Sequence, residues 1–198
     1  MEPSKRLPMW LAVGITVVVG VPFGFWLGPY GMALFISFTV WAQYFAFGAR
    51  PAGLKRIIPG YIAGATGATL TQLFALWLGG LFGPAHLVTD GDLAVIVAYF
   101  IGFCCLIYSM RFMKFIGPDP LAFFQGISLA LACIFTGQGT AFVANSDNVY
   151  VLAIGGLIAS IWSMLLGCFL GWFNVTLTTG PPKGAPAGAE AAESAADA

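Results

Sequence analysis

Nine polar, uncharged side chains stand inside or beside long apolar stretches of this chain, and they are its main candidates for chemistry. Thr39 and Gln43 are four residues apart, Tyr61, Thr69 and Gln72 share one helical face, and Gln125, Ser128 and Thr136 share another with Ala132. Gln138 follows between Gly137 and Gly139, in a turn expected to leave its helix and present backbone groups to a cavity. Hydroxyls and primary amides offer donors and acceptors without charge. A wall built from them suits a small neutral solute. Each also has a structural use, because a Ser or Thr in a membrane helix bonds its own backbone and interhelical bonds average only ~0.6 kcal/mol. Gln43, Gln72 and Gln125 are harder to explain that way, since a primary amide has four hydrogen-bonding positions to fill.

None of these stretches holds an Asp, Glu, Lys, Arg or His near its middle. Proton- and ion-coupled carriers usually place an ionisable residue on their pathway. Passive movement of a neutral permeant is therefore expected ahead of driven transport, with sodium coupling through carbonyls left open. His86 is the only histidine and lies in a loop, so neither a Ser-His-Asp triad nor a multi-histidine metal site is supported. No glycine-rich loop ends in the Gly-Lys-Ser/Thr that cradles phosphate. Cys104, Cys105, Cys133 and Cys168 lack C-x-x-C spacing and are expected to be small apolar packing residues. These absences imply no enzyme, no cofactor or metal, and no nucleic-acid partner.

What must position the polar residues is set by composition. Charged residues make up 8% of the chain, against about 25% in a typical soluble domain. Hydrophobic residues make up 59%, and the mean hydropathy is +0.89. No charge occurs in 7–49, 57–89, 93–110, 120–146 or 148–182. A membrane helix needs about 20 apolar residues, and Gly28-Pro29 divides the first gap into two such lengths. The expected fold is all-α and polytopic, with six spans at 9–27, 31–48, 57–82, 93–112, 120–137 and 149–173, in a bilayer that requires every backbone group to be paired. A cytoplasmic arm (1–8) precedes this domain (9–173). The tail 174–198, Ala- and Gly-rich beyond residue 180, is expected to be disordered.

Orientation follows from the basic residues. Lys5, Arg6, Arg50, Lys55, Arg56, Arg111, Lys114 and Lys183 all fall on one side of the six spans. The opposite loops carry only His86, Asp90, Asp92 and Asp147. Both termini are therefore expected in the cytoplasm, with the basic turn 50–56 beside anionic lipid. Span 1 lacks an A-x-A cleavage pattern and reads as an uncleaved anchor. Asn174-Val175-Thr176 matches a glycosylation sequon but falls at the cytoplasmic end.

The stretch Leu27 to Phe35 is echoed 89 residues later from Ile116 to Phe124. At that offset 23–83 gives ten identities in 61 positions, Gly48 with Gly137 and Gly67 with Gly156 among them. Chance supplies roughly five, so an inverted pair of three-span halves (1–89 and 90–173) is an expectation resting on pattern. Small residues recur at helical spacing: Gly20, Gly24 and Gly28; then Gly60, Gly64, Gly67 and Thr71; then Ala153, Gly156, Ser160, Ser163, Gly167 and Gly171. Such stripes let helix backbones approach closely, within one chain or between copies in a homo-oligomer. Pro22 is expected to kink span 1. Trp41 and Tyr44 are expected at the headgroup layer. Asp92, Asp119, and Asp147 or Asn148 are expected as helix N-caps.

The aromatic second span running into Gly53-Leu54-Lys55, the stretch from Phe124 through Phe135-Thr136-Gly137-Gln138-Gly139, and a final glycine-containing span carry a resemblance. Over roughly residues 10–172 the chain resembles the YcdZ-type family of bacterial inner-membrane proteins, a family with a domain of unknown function. The resemblance implies inner-membrane placement and brings no substrate or catalytic residue with it. The residues leave two functions open: a passive channel or transporter for a small neutral solute, and a non-transporting scaffold or accessory subunit that binds partner helices.

Overall fold

The computed structural model describes residues 7–114, 120–144 and 146–179. Among these residues there is no β-strand, and six α-helices follow one another: α1 (Met9–Phe25), α2 (Leu34–Ala46), α3 (Pro51–Phe82), α4 (Asp92–Ser109), α5 (Leu121–Phe135) and α6 (Val149–Thr179). Three helices are long and apolar enough to cross a bilayer: α3, α4 with its 3-10 extension to Phe112, and α6. The other three have 17, 13 and 15 residues. At about 1.5 Å per residue, α2 is roughly 20 Å long, short of the ~30 Å hydrocarbon core.

Several expected boundaries move, each for a local reason. Helix α2 begins at Leu34, three residues later than expected, because the chain doubles back after α1. The N–H of Met32 donates to the carbonyl of Phe23 (2.9 Å), and a Cβ at Gly31 would collide with the carbonyl oxygen of Gly24. Helix α3 begins at Pro51, six residues earlier than expected, with extended Arg50 before it and proline in its first turn. That position costs nothing, since the first-turn N–H has no helical partner. Lys55 and Arg56 therefore lie on the helix and not in a loop. Helix α6 runs on to Thr179, so 174–179 belong to it and not to the tail. Residues 180–198, the basic residues Lys5, Arg6 and Lys183, and the expected cap Asp119 lie outside the described residues.

The core forms where α2, α3, α5 and α6 meet. Ile36, Val40 and Tyr44 pack there with Ile57, Tyr61 and Ala65, with Ala130 and Cys133, and with Met164 and Cys168. Helix α1 lies outside this core, where Val13 and Val17 cover Trp41, Leu166 and Leu170. On the far side α4 rests mainly on α3, through Ala94 and Ala98 against Ala75 and Leu78, and its Phe103 and Leu106 join a cluster with Phe123 and Ile127 of α5.

Glycine decides how closely these helices approach. A methyl group at Gly64 would overlap the carbonyl of Phe123, and one at Gly126 would overlap the carbonyl of Tyr61. Gly60 meets Ala122 in the same seam. Gly60 lies at Ala122 and Phe123 while Gly64, one turn on, reaches Ile127, so α3 and α5 run parallel. In the second seam Ala33 meets Ser163, Ser37 meets Gly167 and Tyr44 meets Gly171, so α2 and α6 run parallel as well. By contrast, Gly67 faces Leu106 while Thr71 faces Gly102, and α4 is antiparallel to α3.

Two side chains expected at the headgroup layer point inward instead. Trp41 and Tyr44 are 7% and 1% exposed, drawn in by the close α2–α6 contact at Gly171. All four cysteines are free thiols. Cys133 and Cys168 pack the core as expected, but Cys104 and Cys105 are exposed on the outer face of α4.

Candidate functional site

Among the described residues the nine candidates take up several separate contacts, and neither the outward groove on α1 nor that on α6 is lined by any of them. Three hydroxyls turn back on their own helices. Thr39 donates to the carbonyl of Phe35 (2.6 Å), Thr69 to that of Ala65 (2.9 Å) and Thr136 to that of Ala132 (2.6 Å). Ser128 and Gln138 are exposed. Tyr61 is fully buried and its hydroxyl shares a hydrogen bond with Ser160 of α6 (2.7 Å). Gln72 accepts from the hydroxyl of Tyr99 (2.6 Å), tying α3 to α4 on the side away from the core.

The glycine-bracketed turn at Gln138 corrects its expectation. Gly137 adopts φ +67, the N–H of Gln138 donates to the carbonyl of Cys133 (2.9 Å), and the N–H of Gly137 donates to that of Ile134 (3.2 Å). This pair of bonds is the Schellman cap, which satisfies the last carbonyls of a helix. The N–H groups of Gly137 and Gln138 are thus spent on ending α5. Gly139 presses its backbone onto Gly155 of α6, where neither residue has room for a side chain. Helix α2 ends identically: Gly48 has φ +83, with Ala49 bonded to Tyr44 (3.0 Å) and Gly48 to Phe45 (3.0 Å).

Gln43 and Gln125 behave differently from the other seven. Gln43 is 2% exposed, and neither its amide nitrogen nor its amide oxygen has a partner among the described residues. The side-chain oxygen of Gln125 is likewise buried and unpartnered, as are the Tyr44 hydroxyl, the Trp41 ring N–H and the Asn174 oxygen. Burying such a group unmade costs about 1–3 kcal/mol. Three of these five residues sit within four positions of one another near the end of α2.

The interhelical polar contacts that the sequence left unmarked belong to α6. The Ser163 hydroxyl accepts the N–H of Ala33 (2.8 Å) and donates to the carbonyl of Ala159 (2.8 Å), while Ser37 donates to the carbonyl of Ser163 (2.8 Å). Asn174 donates to Thr16 (3.1 Å) and so ties α1 to α6. Ser163 was visible only as a small member of a stripe and Asn174 only as part of a sequon, while Ser37 and Thr16 were unmarked. The signal available was spacing: 160, 163, 167, 171 and 174 mark one face of α6.

Comparison with known proteins finds no matching family model, curated protein or solved structure. The geometry has to speak for itself. Among the described residues no group of three His, Cys, Asp or Glu side chains is placed to hold a metal. Two grooves open on outward faces. One, of about 430 Å³, runs along α1 past Trp10, Leu11, Gly14 and Val18. The other, of about 220 Å³, lies on α6 beside Ile158, Trp162 and Leu165. Both are apolar.

Of the expected caps, Asn148 serves α6, its side-chain oxygen accepting the N–H of Tyr150 (3.0 Å). Asp92 does not cap α4, whose capping residue is Gly91 at φ +80. Its carboxylate reaches back into the preceding loop instead.

Proposed function

We propose that this chain crosses a bacterial inner membrane six times, with both termini in the cytoplasm, and serves there as a non-transporting scaffold or accessory subunit. The observation that carries the scaffold reading is the fate of the polar candidates: most are spent within a helix or between two helices around an apolar core. The six-span reading draws support from the parallel α3–α5 and α2–α6 pairs, the relation that an alternating six-span path requires. The short helices α2 and α5 need not span alone. Non-helical backbone is tolerated at membrane depth where protein covers it; the turn before α2 lies against Phe23 of α1, and the turn after α5 against Gly155 of α6.

The inverted-repeat reading draws support from α2 and α5, which end in the same cap at glycines 89 residues apart. Helices α3 and α5 pack together as their counterparts α6 and α2 do. Ala122 meets Gly60 where the 89-residue offset would bring Phe74, so the match is one of elements and not of register. The choice of the inner membrane rests on the resemblance to YcdZ-type proteins. Partner helices, including those of a second copy, would meet it on the outward grooves. Lipid covers the remaining apolar faces.

Liposome swelling tests the scaffold. Vesicles carrying the protein are expected to swell in small neutral solutes such as urea or glycerol no faster than empty ones. Faster swelling would transfer the assignment to the second reading, a passive path for such solutes. Gln43 favours that reading, because its unpartnered amide would be satisfied by a passing donor–acceptor solute. In that event Gln43→Leu is expected to abolish the added permeability.

A further inference from the structure

The segment 83–91 joins two helices of membrane length, α3 and α4, so on the membrane reading it sits at a bilayer surface. Its conformation is fixed by one side chain. The Asp92 carboxylate accepts the backbone N–H groups of Leu87 (2.6 Å), Val88 (2.8 Å) and Thr89 (2.8 Å). Three successive N–H groups closed on one anion form a rigid turn. That turn holds Leu87 and Val88 outward, at 70% and 80% exposure. Polar groups flank them: Thr89, Asp90, and His86 with its ring nitrogen 3.6 Å from Asp90. The last turns of α3 continue the apolar surface through exposed Trp77, Leu81 and Phe82.

Two large aliphatic side chains held in water by a preorganised loop are unfavourable unless something covers them. The lipid is the nearest apolar phase, and the loop lies between two helices that end in it. We propose that the loop 83–91 is a membrane anchor. In it Leu87 and Val88 insert into the headgroup–acyl boundary of the leaflet opposite the basic 50–56 turn, and Asp92 holds them in the inserting shape. Trp77, exposed on the same end of α3, marks the level at which indole rings favour the interface. Because the loop is already ordered, insertion loses little conformational entropy.

The inference rests on the membrane reading of α3 and α4, and the test separates the two. In the full chain with its four cysteines replaced by alanine, Leu87→Cys, Thr89→Cys and Leu70→Cys each carry a polarity-sensitive fluorophore. The protein is placed in vesicles of phosphatidylethanolamine and phosphatidylglycerol, with or without brominated acyl chains. The label at 87 is expected to emit at shorter wavelength than that at 89, to be quenched by bromolipid and to resist aqueous iodide. Adding Asp92→Asn is expected to restore iodide quenching at 87 while helicity by circular dichroism stays unchanged. Quenching at 87 by iodide and not by lipid overturns the anchor. Shielding from both quenchers also overturns it, and assigns the tip to a protein partner or a second copy. The label at 70, on a lipid-facing position of α3, is the control. If lipid fails to quench it, the membrane reading falls first.

Discussion

Gly64 of α3 and Phe123 of α5 meet so closely that the space for a Cβ at the glycine is occupied by the phenylalanine's carbonyl oxygen. The contact is reciprocated one turn along, where Gly126 lies on the carbonyl of Tyr61. Without a hydrophobic drive between helices in lipid, association depends on such close dispersion contact. Here it holds α3 against α5.

Gly64→Ala or Gly126→Ala is therefore expected to destabilise the protein by ~1–3 kcal/mol, the usual cost of overpacking a tight site. Gly14→Ala supplies the contrast, because nothing lies within 4 Å of the Cβ it would add. That change is expected to be neutral or to stabilise by up to ~1 kcal/mol, the ordinary preference of a helix for alanine. Unfolding of each variant in mixed micelles by sodium dodecyl sulfate measures the difference.

Ser163→Ala removes the acceptor for the N–H of Ala33, which starts α2 from within the bundle. A buried donor left unmade costs about 1–3 kcal/mol. The loss is expected to appear as local exchange of the Ala33 amide before global unfolding, and hydrogen exchange by mass spectrometry would detect it.

A double-mutant cycle on Tyr61→Phe and Ser160→Ala reads the hydrogen bond between these two side chains, which joins α3 to α6. Its coupling is expected near ~0.6 kcal/mol, the average for such bonds in membrane proteins. A coupling above ~2 kcal/mol would point to a network wider than this pair.

How much of this was legible follows from what each signal reports. The glycine spacing of α3 announced a close-packed face, and Gly60 and Gly64 do pack α5; the spacing carried no information about which helix would face it. Gln138 was misread because a Schellman glycine and a cavity-lining glycine look alike without the hydrogen bonds that follow. Thr39 and Gln43 share a face in sequence, yet one turns to its own backbone and the other into the interior with no partner. Composition gave the apolar class of the chain, and helix α2 still came out shorter than a span. Its start is set by the return of Met32 onto Phe23, a tertiary contact that hydropathy does not record.

Asp92 offers a prediction in pH. It precedes the apolar run that begins at Leu93, and the N–H groups of Leu87, Thr89 and Val88 lower its carboxyl from 3.8 to about 2. A depressed carboxyl stabilises the fold above its unfolded value, and that contribution is lost as pH falls through the folded one. The loop is therefore expected to keep its shape from pH 8 down to about 4 and to loosen between there and about pH 2. Amide chemical shifts of Leu87 to Thr89 across that range check it, and Asp92→Asn is expected to remove the transition.

The measurement closest to the central claim is topological. Reporters inserted after residues 88 and 182 of the full chain would show which side of the membrane each position occupies. Six alternating crossings predict opposite answers, with residue 88 outside the cytoplasm and residue 182 within it. The same compartment for both would contradict the six-span arrangement and the paired halves built on it.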